Sequence, residues 1–327
     1  MKNKLKSLAR KTIVPFLFKT NYYHQILEKH GNNAAIILLY HNIDSSWKNG
    51  FKKQMQFIKE HMQPISLNKL IDCLIKKKPF PPKSIAITFD DGYESIYHHA
   101  YPILDKYQIL ATIFLVTGYI DTRKTFWWDE FREIINNFSN KWFRENFNTL
   151  THLFPQKVFH HKNFEIETEK YLARLNNRKI AKIIKKLRSE LNYIKLEKNN
   201  SILSWSQIKE MAKNGIDFGS HTINHYNLTT LSDKEIEEEL RVSKQKIEQE
   251  LKKPVTGFCY PFGKKEHYNQ KIKELVIKAG YQYAVTADFG HVSQKSDLFL
   301  LKRVPAGNEP LPYFVRNLAL ALTENSY

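Results

Sequence analysis

The chain has 327 residues, 42% of them hydrophobic, enough to bury one large core. Its two cysteines, Cys73 and Cys259, exclude a disulfide-rich secreted scaffold and fit a reducing cytoplasm. A formal net charge of +18 attracts polyanions. The lysines are nevertheless scattered over every helical pattern, with no helix-turn-helix, zinc-finger or RNA-recognition signature, so no nucleic-acid partner is expected.

Residues 1–33 form a basic segment carrying Lys2, Lys4, Lys6, Arg10, Lys11, Lys19 and Lys29 against Glu28 alone. Its apolar knot, Ile13-Val14-Pro15-Phe16-Leu17-Phe18, is too short to span a bilayer and is followed by no small-residue cleavage site. Such a segment suits an anionic membrane surface, and it suits equally a helix folded against the domain. The expected location is the cytoplasm, with peripheral contact at the inner face of the cell membrane.

From residue 34 to 327, short apolar runs alternate with helical patterns, which argues for parallel βα units in one domain. The runs fall at 35–40, 84–89, 110–116, 216–219, 255–260, 282–286 and 299–304. The second ends in Thr88-Phe89-Asp90-Asp91-Gly92. Two adjacent carboxylates that both stay ionised recruit a cation or divide their roles. Alone, the segment reads equally well as an ordinary turn. Residues 122–200 open with Trp127 and Trp128 and become charged and helical, including the amphipathic stretch Lys182–Leu187. They read as a helical insertion, either shaping a substrate groove or making no ligand contact.

The fourth run opens into Gly219-Ser220-His221-Thr222-Ile223-Asn224-His225, which carries two imidazoles four residues apart. That spacing sets both rings on one side of a turn, as paired metal ligands require. One carboxylate with two histidines makes a three-ligand site that suits zinc or a similar divalent ion. The fifth run ends in Cys259-Tyr260-Pro261-Phe262-Gly263, a turn able to aim a backbone N–H at a reacting carbonyl.

Together and in this order, these segments resemble the polysaccharide deacetylase family, the NodB-homology carbohydrate esterases. Thr88 to Gly92 match its Thr-Phe-Asp-Asp-Gly motif, and His221, Thr222 and His225 match its His-Ser/Thr-x-x-His motif. Cys259-Tyr260-Pro261-Phe262 matches its Arg-x-Pro-Phe/Tyr motif with cysteine in place of arginine. Softer similarities include Leu39-Tyr40-His41, Trp127-Trp128-Asp129 and Leu301-Lys302-Arg303-Val304-Pro305.

The resemblance implies a distorted (β/α) barrel of about seven parallel strands, with chemistry at the strand C-terminal ends. It implies Asp91, His221 and His225 as ligands of a divalent metal, most simply Zn2+. Asp90 would be the general base, and the Phe262 N–H a donor to the oxyanion. With Cys259 unable to pair the base, Arg303 on the last strand becomes the expected replacement. The family's protonating histidine has no clear counterpart, which leaves His41 and His291 as weak candidates. The implied activity is removal of N-acetyl groups from an amino sugar in a glycan or lipid-linked sugar, in surface-polysaccharide synthesis. The alternatives are a deformylase of a polyprenyl-phosphate-linked amino sugar and a catalytically degenerate sugar-binding module.

Overall fold

The computed structural model describes residues 2–136, 153–155, 164–190 and 201–323, with side chains for all of these but 2–10 and Phe164. Eight strands form one parallel sheet: β1 (Ile36–Tyr40), β2 (Gln63–Pro64), β3 (Ser84–Phe89), β4 (Ala111–Leu115), β5 (Asp217–Ser220), β6 (Gly257–Cys259), β7 (Tyr283–Phe289) and β8 (Leu301–Pro305). β1 pairs with both β3 and β8, so seven strands close into a barrel. The seven expected apolar runs are those seven strands. The eighth, β2, pairs only with Ser84 and Ile85 at the start of β3. Two residues, one of them a proline, leave no periodic signal to read.

β1, β3 and β4 are buried along their whole lengths because helices cover the outside and side chains fill the inside. Alternation divides the core accordingly. Ile36, Leu38, Ile85, Ile87 and Ala284 join the cluster beneath the surrounding helices, whereas Ile37, Ala86, Phe114, Val285 and Leu301 join a second cluster. That second cluster includes Leu67, Leu70, Ile71 and Leu74 of helix α4 (Leu67–Ile75), an amphipathic helix started by the Ser66 cap on the Lys69 N–H. Toward the strand C-terminal ends the filling turns polar, with Thr88, Cys259, Thr286 and Arg303 all buried. This polar layer is where the site lies.

The basic amino-terminal segment forms α1 (Lys2–Lys19) and α2 (Tyr22–His30). Both pack on α12 (Leu311–Thr323), where Val14, Tyr23 and Leu27 are buried in one cluster with Phe314, Val315 and Leu318. The packed-helix reading therefore holds for the inner side of α1, while Ile13 and Phe16 stay exposed.

Within the expected insertion at 122–200, residues 137–152, 156–163 and 191–200 lie outside the described ones. The rest gives α6 (Trp127–Asn136), α7 (Phe164–Leu172) and α8 (Asn177–Glu190). Their apolar faces meet in a separate cluster of Phe131, Ile134, Phe154, Leu172, Ile184 and Leu187, among others. Arg132 grips both oxygens of Glu169 at 2.6 and 2.8 Å, and Arg188 pairs with Glu130. Among the described residues, no helix is long and apolar enough to cross a membrane.

Candidate active site

A cavity of about 1430 Å³ opens at the C-terminal ends of the strands. Asp90, Asp91, His221, His225 and Phe262 line it together, and α6 and α7 supply one of its walls. The described part of the expected insertion thus walls this cavity.

β3 delivers the two carboxylates into different surroundings. Asp90 continues the strand, its N–H bonded to the Tyr40 carbonyl at 2.9 Å. Its side chain is buried against Arg303, which donates from Nη1 to Oδ1 at 2.8 Å and from Nη2 to Oδ2 at 2.6 Å. Burial alone would raise the Asp90 pKa, but the Arg303 charge and its two hydrogen bonds bring it well below the usual carboxylate range. Arg303 is itself held on every side. Nε donates to the Thr286 carbonyl at 2.7 Å, Nη1 donates to Thr88 Oγ1 at 3.1 Å, and the guanidinium lies 5.9 Å from the Phe114 ring centroid. The Cys259 thiol completes the enclosure, donating to Asp90 Oδ2 at 3.3 Å.

Asp91 turns the other way because its backbone enters the left-handed region, with φ 70°. Its Oδ1 lies 3.6 Å from His221 Nε2 and 3.4 Å from His225 Nε2. The three donors lie within 4.8 Å of one another. His221 Nδ1–H donates to the Cys259 carbonyl at 2.8 Å, which fixes the tautomer and leaves Nε2 as a lone-pair donor facing Asp91. Burial holds the His221 pKa down, to about 4, and burial together with His221 holds His225 well below its ordinary value. Both rings are therefore neutral at pH 7.

Asp91 Oδ1 is buried and receives no hydrogen bond among the described residues. Burial, then the Asp90 and Asp129 charges, push the Asp91 pKa well up. A buried carboxyl oxygen with no hydrogen-bond donor, facing two neutral imidazole lone pairs, fits a divalent cation, whose charge would offset the burial and repulsion that disfavour the Asp91 anion.

The loops that carry these side chains are bent to bring them together. Besides Asp91, Thr222, His225 and Phe262 adopt φ of 70°, 54° and 61°. Such conformations cost about 1–3 kcal/mol each in non-glycine residues, so surrounding bonds must hold them. The main support of the histidine loop is Glu239 of α10 (Asp233–Leu251). Glu239 Oε2 accepts the N–H groups of Ile223 and Asn224 at 2.8 and 2.9 Å, and Oε1 accepts from Asn224 Nδ2 at 2.7 Å. At the aromatic turn, Gly263 has φ 62° and lies so close to β7 that a Cβ would sit 2.5 Å from the Ala287 nitrogen. The Phe262 N–H beside it bonds to no acceptor among the described residues.

Aromatic rings close the site. Trp128 and Phe262 approach His225 edge-on at 4.7 and 4.8 Å between centroids. Trp128 stacks on Phe126 at 4.4 Å, and its Nε1 donates to the Tyr93 hydroxyl, which donates to Asp129. Of the two candidate acids, His41 lines the cleft at the end of β1. His291 does not; its Nδ1–H donates to the Ala321 carbonyl in α12 at 2.7 Å. Sequence reading passed over Glu239, which carries no local motif, and His267, which is buried beside Phe262 and lines the cleft.

The family model described as Polysaccharide deacetylase matches residues 77–143 and 157–284, well over half of the chain. The chain belongs to the polysaccharide deacetylase family. It is a carbohydrate deacetylase, a hydrolase. The poly-beta-1,6-N-acetyl-D-glucosamine N-deacetylase of Staphylococcus aureus (strain MRSA252) is 22% identical over 275 residues, which cover 81% of this chain and 69% of that protein. Among solved structures, the Streptococcus pyogenes deacetylase PplD, in complex with acetate, shares the fold with a TM-score of 0.58 and 20% identity, covering 90% of this chain and all of that one. IcaB from Ammonifex degensii matches with a TM-score of 0.58 and 18% identity, over 89% of this chain and 98% of its own.

Proposed function

We propose that the protein hydrolyses the N-acetyl group of an amino sugar within a glycan or lipid-linked sugar, in the synthesis of a surface polysaccharide. The observation that carries this reading is the placement of an ionised carboxylate beside two neutral imidazoles and a second carboxyl. The Asp90 carboxylate, gripped by Arg303, lies within 4.8 Å of a His221 ring nitrogen, and Asp91, His221 and His225 converge beside it. The name of the Staphylococcus aureus relative, an N-deacetylase of a poly-N-acetylglucosamine, supports the substrate class.

Asp91, His221 and His225 would hold a divalent metal, for which one carboxylate and two imidazoles make zinc the natural choice. Such an ion, when bound, supplies Lewis acidity toward water and the acyl carbonyl. The protein's own groups do the rest. Asp90 takes a proton from the attacking water, and Arg303 keeps it ionised for that task. The Phe262 N–H donates to the oxygen that becomes negative as the carbonyl carbon turns tetrahedral. The C–N bond then breaks, the amine leaves with a proton, and acetate remains. His41 is the better placed of the two candidate acids, because it faces the cleft. At about 1430 Å³ the cavity exceeds the few hundred to about 1,000 Å³ usual for a small-molecule site, which favours a run of sugar residues over a monosaccharide.

The test is acetate release from a panel of N-acetylated oligosaccharides and lipid-linked amino sugars, with added zinc and after chelation. Zinc-dependent acetate supports the reading. Formate from an N-formyl sugar with no acetate from any substrate would replace it with the deformylase. Sugar binding without release of either acid would leave a binding module.

A further inference from the structure

Among the described residues, the outer side of α1 joins neither the site nor the barrel core. Ile13 is 53% exposed and Phe16 63%, three residues apart, and Tyr22 just past the helix end is 48% exposed. On the other side Val14 is only 4% exposed, packed with the α12 cluster. The helix is therefore anchored by one face and presents large apolar groups to solvent on another. Isolated exposed apolar residues need no explanation, but Ile13 and Phe16 lie about one helical turn apart and about 60° around the axis, so they share one exposed face.

Charge says what such a patch fits. Residues 1–30 carry Lys2, Lys4, Lys6, Arg10, Lys11, Lys19 and Lys29 against one acid. That acid, Glu28, pairs with Lys83 at 2.7 Å. Lys19, one turn beyond Phe16 on the same side, and Lys11, nearer the Val14 side, are both exposed. We propose that this face of α1 rests on the surface of an anionic lipid bilayer, with Ile13 and Phe16 at the headgroup–acyl boundary and Lys19 over lipid phosphates. Apolar insertion and cation–phosphate attraction add in such an arrangement, each too weak alone for stable attachment. A second copy of the chain is the poorer occupant, since it would press two strongly cationic segments together. The contact would hold the enzyme at the surface where lipid-linked glycans are assembled, yet it stands independently of which acyl group is removed.

The test uses the full chain. Purified protein is sedimented with vesicles of phosphatidylcholine alone, or of equal parts phosphatidylcholine and phosphatidylglycerol, at rising ionic strength. Binding should appear with the anionic vesicles and fall with salt. The double variant Ile13→Ser/Phe16→Ser should lose about tenfold or more in vesicle affinity with an unchanged melting temperature. Lys11→Gln/Lys19→Gln should lose about fivefold per charge, which decides the matter even if the apolar variant folds poorly. Equal binding to neutral vesicles, or unchanged affinity in the lysine variant, overturns the proposal. So does lipid-free self-association in analytical ultracentrifugation that Ile13→Ser/Phe16→Ser abolishes, because the face would then belong to a second copy. Hydrolysis of a soluble substrate should be unchanged in both variants, which separates this outcome from any failure of the deacetylation reading.

Discussion

Arg303 holds both carboxylate oxygens of Asp90 across 213 residues of sequence, at 2.8 and 2.6 Å, inside a fully buried layer of the barrel. The planar fork uses its remaining donors on Thr88, Thr286 and Cys259, so neither its position nor its plane is free to change. A β6 cysteine occupies the place where the family motif has its arginine, and the cation reaches Asp90 from β8 instead.

Removing that cation should move the pH–rate profile. Arg303→Met leaves Asp90 buried with no opposite charge, so the carboxyl holds its proton to higher pH. The acidic limb of kcat/KM should rise by about 1–3 pH units, with metal content unchanged. Breaking a buried pair also costs about 3–5 kcal/mol, so melting temperature must be followed in parallel. The Asp90 pKa is depressed in the folded protein, and the stability tied to it is therefore present above the unfolded value of about 3.9 and lost as pH falls toward the folded one. An unmoved acidic limb would mean that Asp90 is not the group titrating there.

The two thiols should be silent in the native protein. Cys73 and Cys259 are 5% and 0% exposed, and burial pushes the Cys259 thiol well up. Only a thiolate attacks an aromatic disulfide reagent, so native protein should release no thionitrobenzoate, and denatured protein two equivalents. Rapid native labelling accompanied by loss of activity would show that the barrel interior opens.

Much of this could be read from the sequence because the informative residues are neighbours. The Asp90-Asp91-Gly92 and His221-to-His225 segments each follow a strand, and alternation of apolar runs located the seven barrel strands. What could not be read lies in long-range or backbone facts. Left-handed φ at Thr222, a β-branched residue, has no propensity signal. Glu239 looks like one more acid on a charged helix until the loop it holds is placed against it. Thr88 resembles any strand threonine, yet its hydroxyl donates to the Leu38 carbonyl and accepts from Arg303. β2 was too short to register.

The two aspartates should separate by experiment. Asp90→Asn preserves the shape and removes the proton acceptor, so turnover should fall about 100- to 10,000-fold with metal retained. Asp91→Asn, His221→Ala and His225→Ala should each strip most of the bound metal as read by elemental analysis. Equal metal loss from Asp90→Asn and Asp91→Asn would refute the division of labour between base and ligand.

Glu239 gives the last prediction, since its hydrogen bonds go to neither the His221 nor the His225 side chain yet fix the loop between them. It accepts three hydrogen bonds from Ile223 and Asn224, and the carbonyls of Thr222 and Ile223 accept from Thr117 and Gly118 on the other side. Glu239→Ala leaves those donors unsatisfied at about 1–3 kcal/mol apiece, so the strained φ values at Thr222 and His225 lose their support. Zinc affinity, measured by competition with a chromophoric chelator, should weaken about 10- to 100-fold, the usual cost of losing a residue that orients a ligand. Glu239→Gln keeps one oxygen for the two backbone N–H groups, and the Asn224 amide can rotate to accept from the new NH2, so most affinity should return. A role confined to helix packing would give a different pattern: a lower melting temperature in Glu239→Ala with an unchanged zinc Kd, and no difference in zinc Kd between the alanine and glutamine variants.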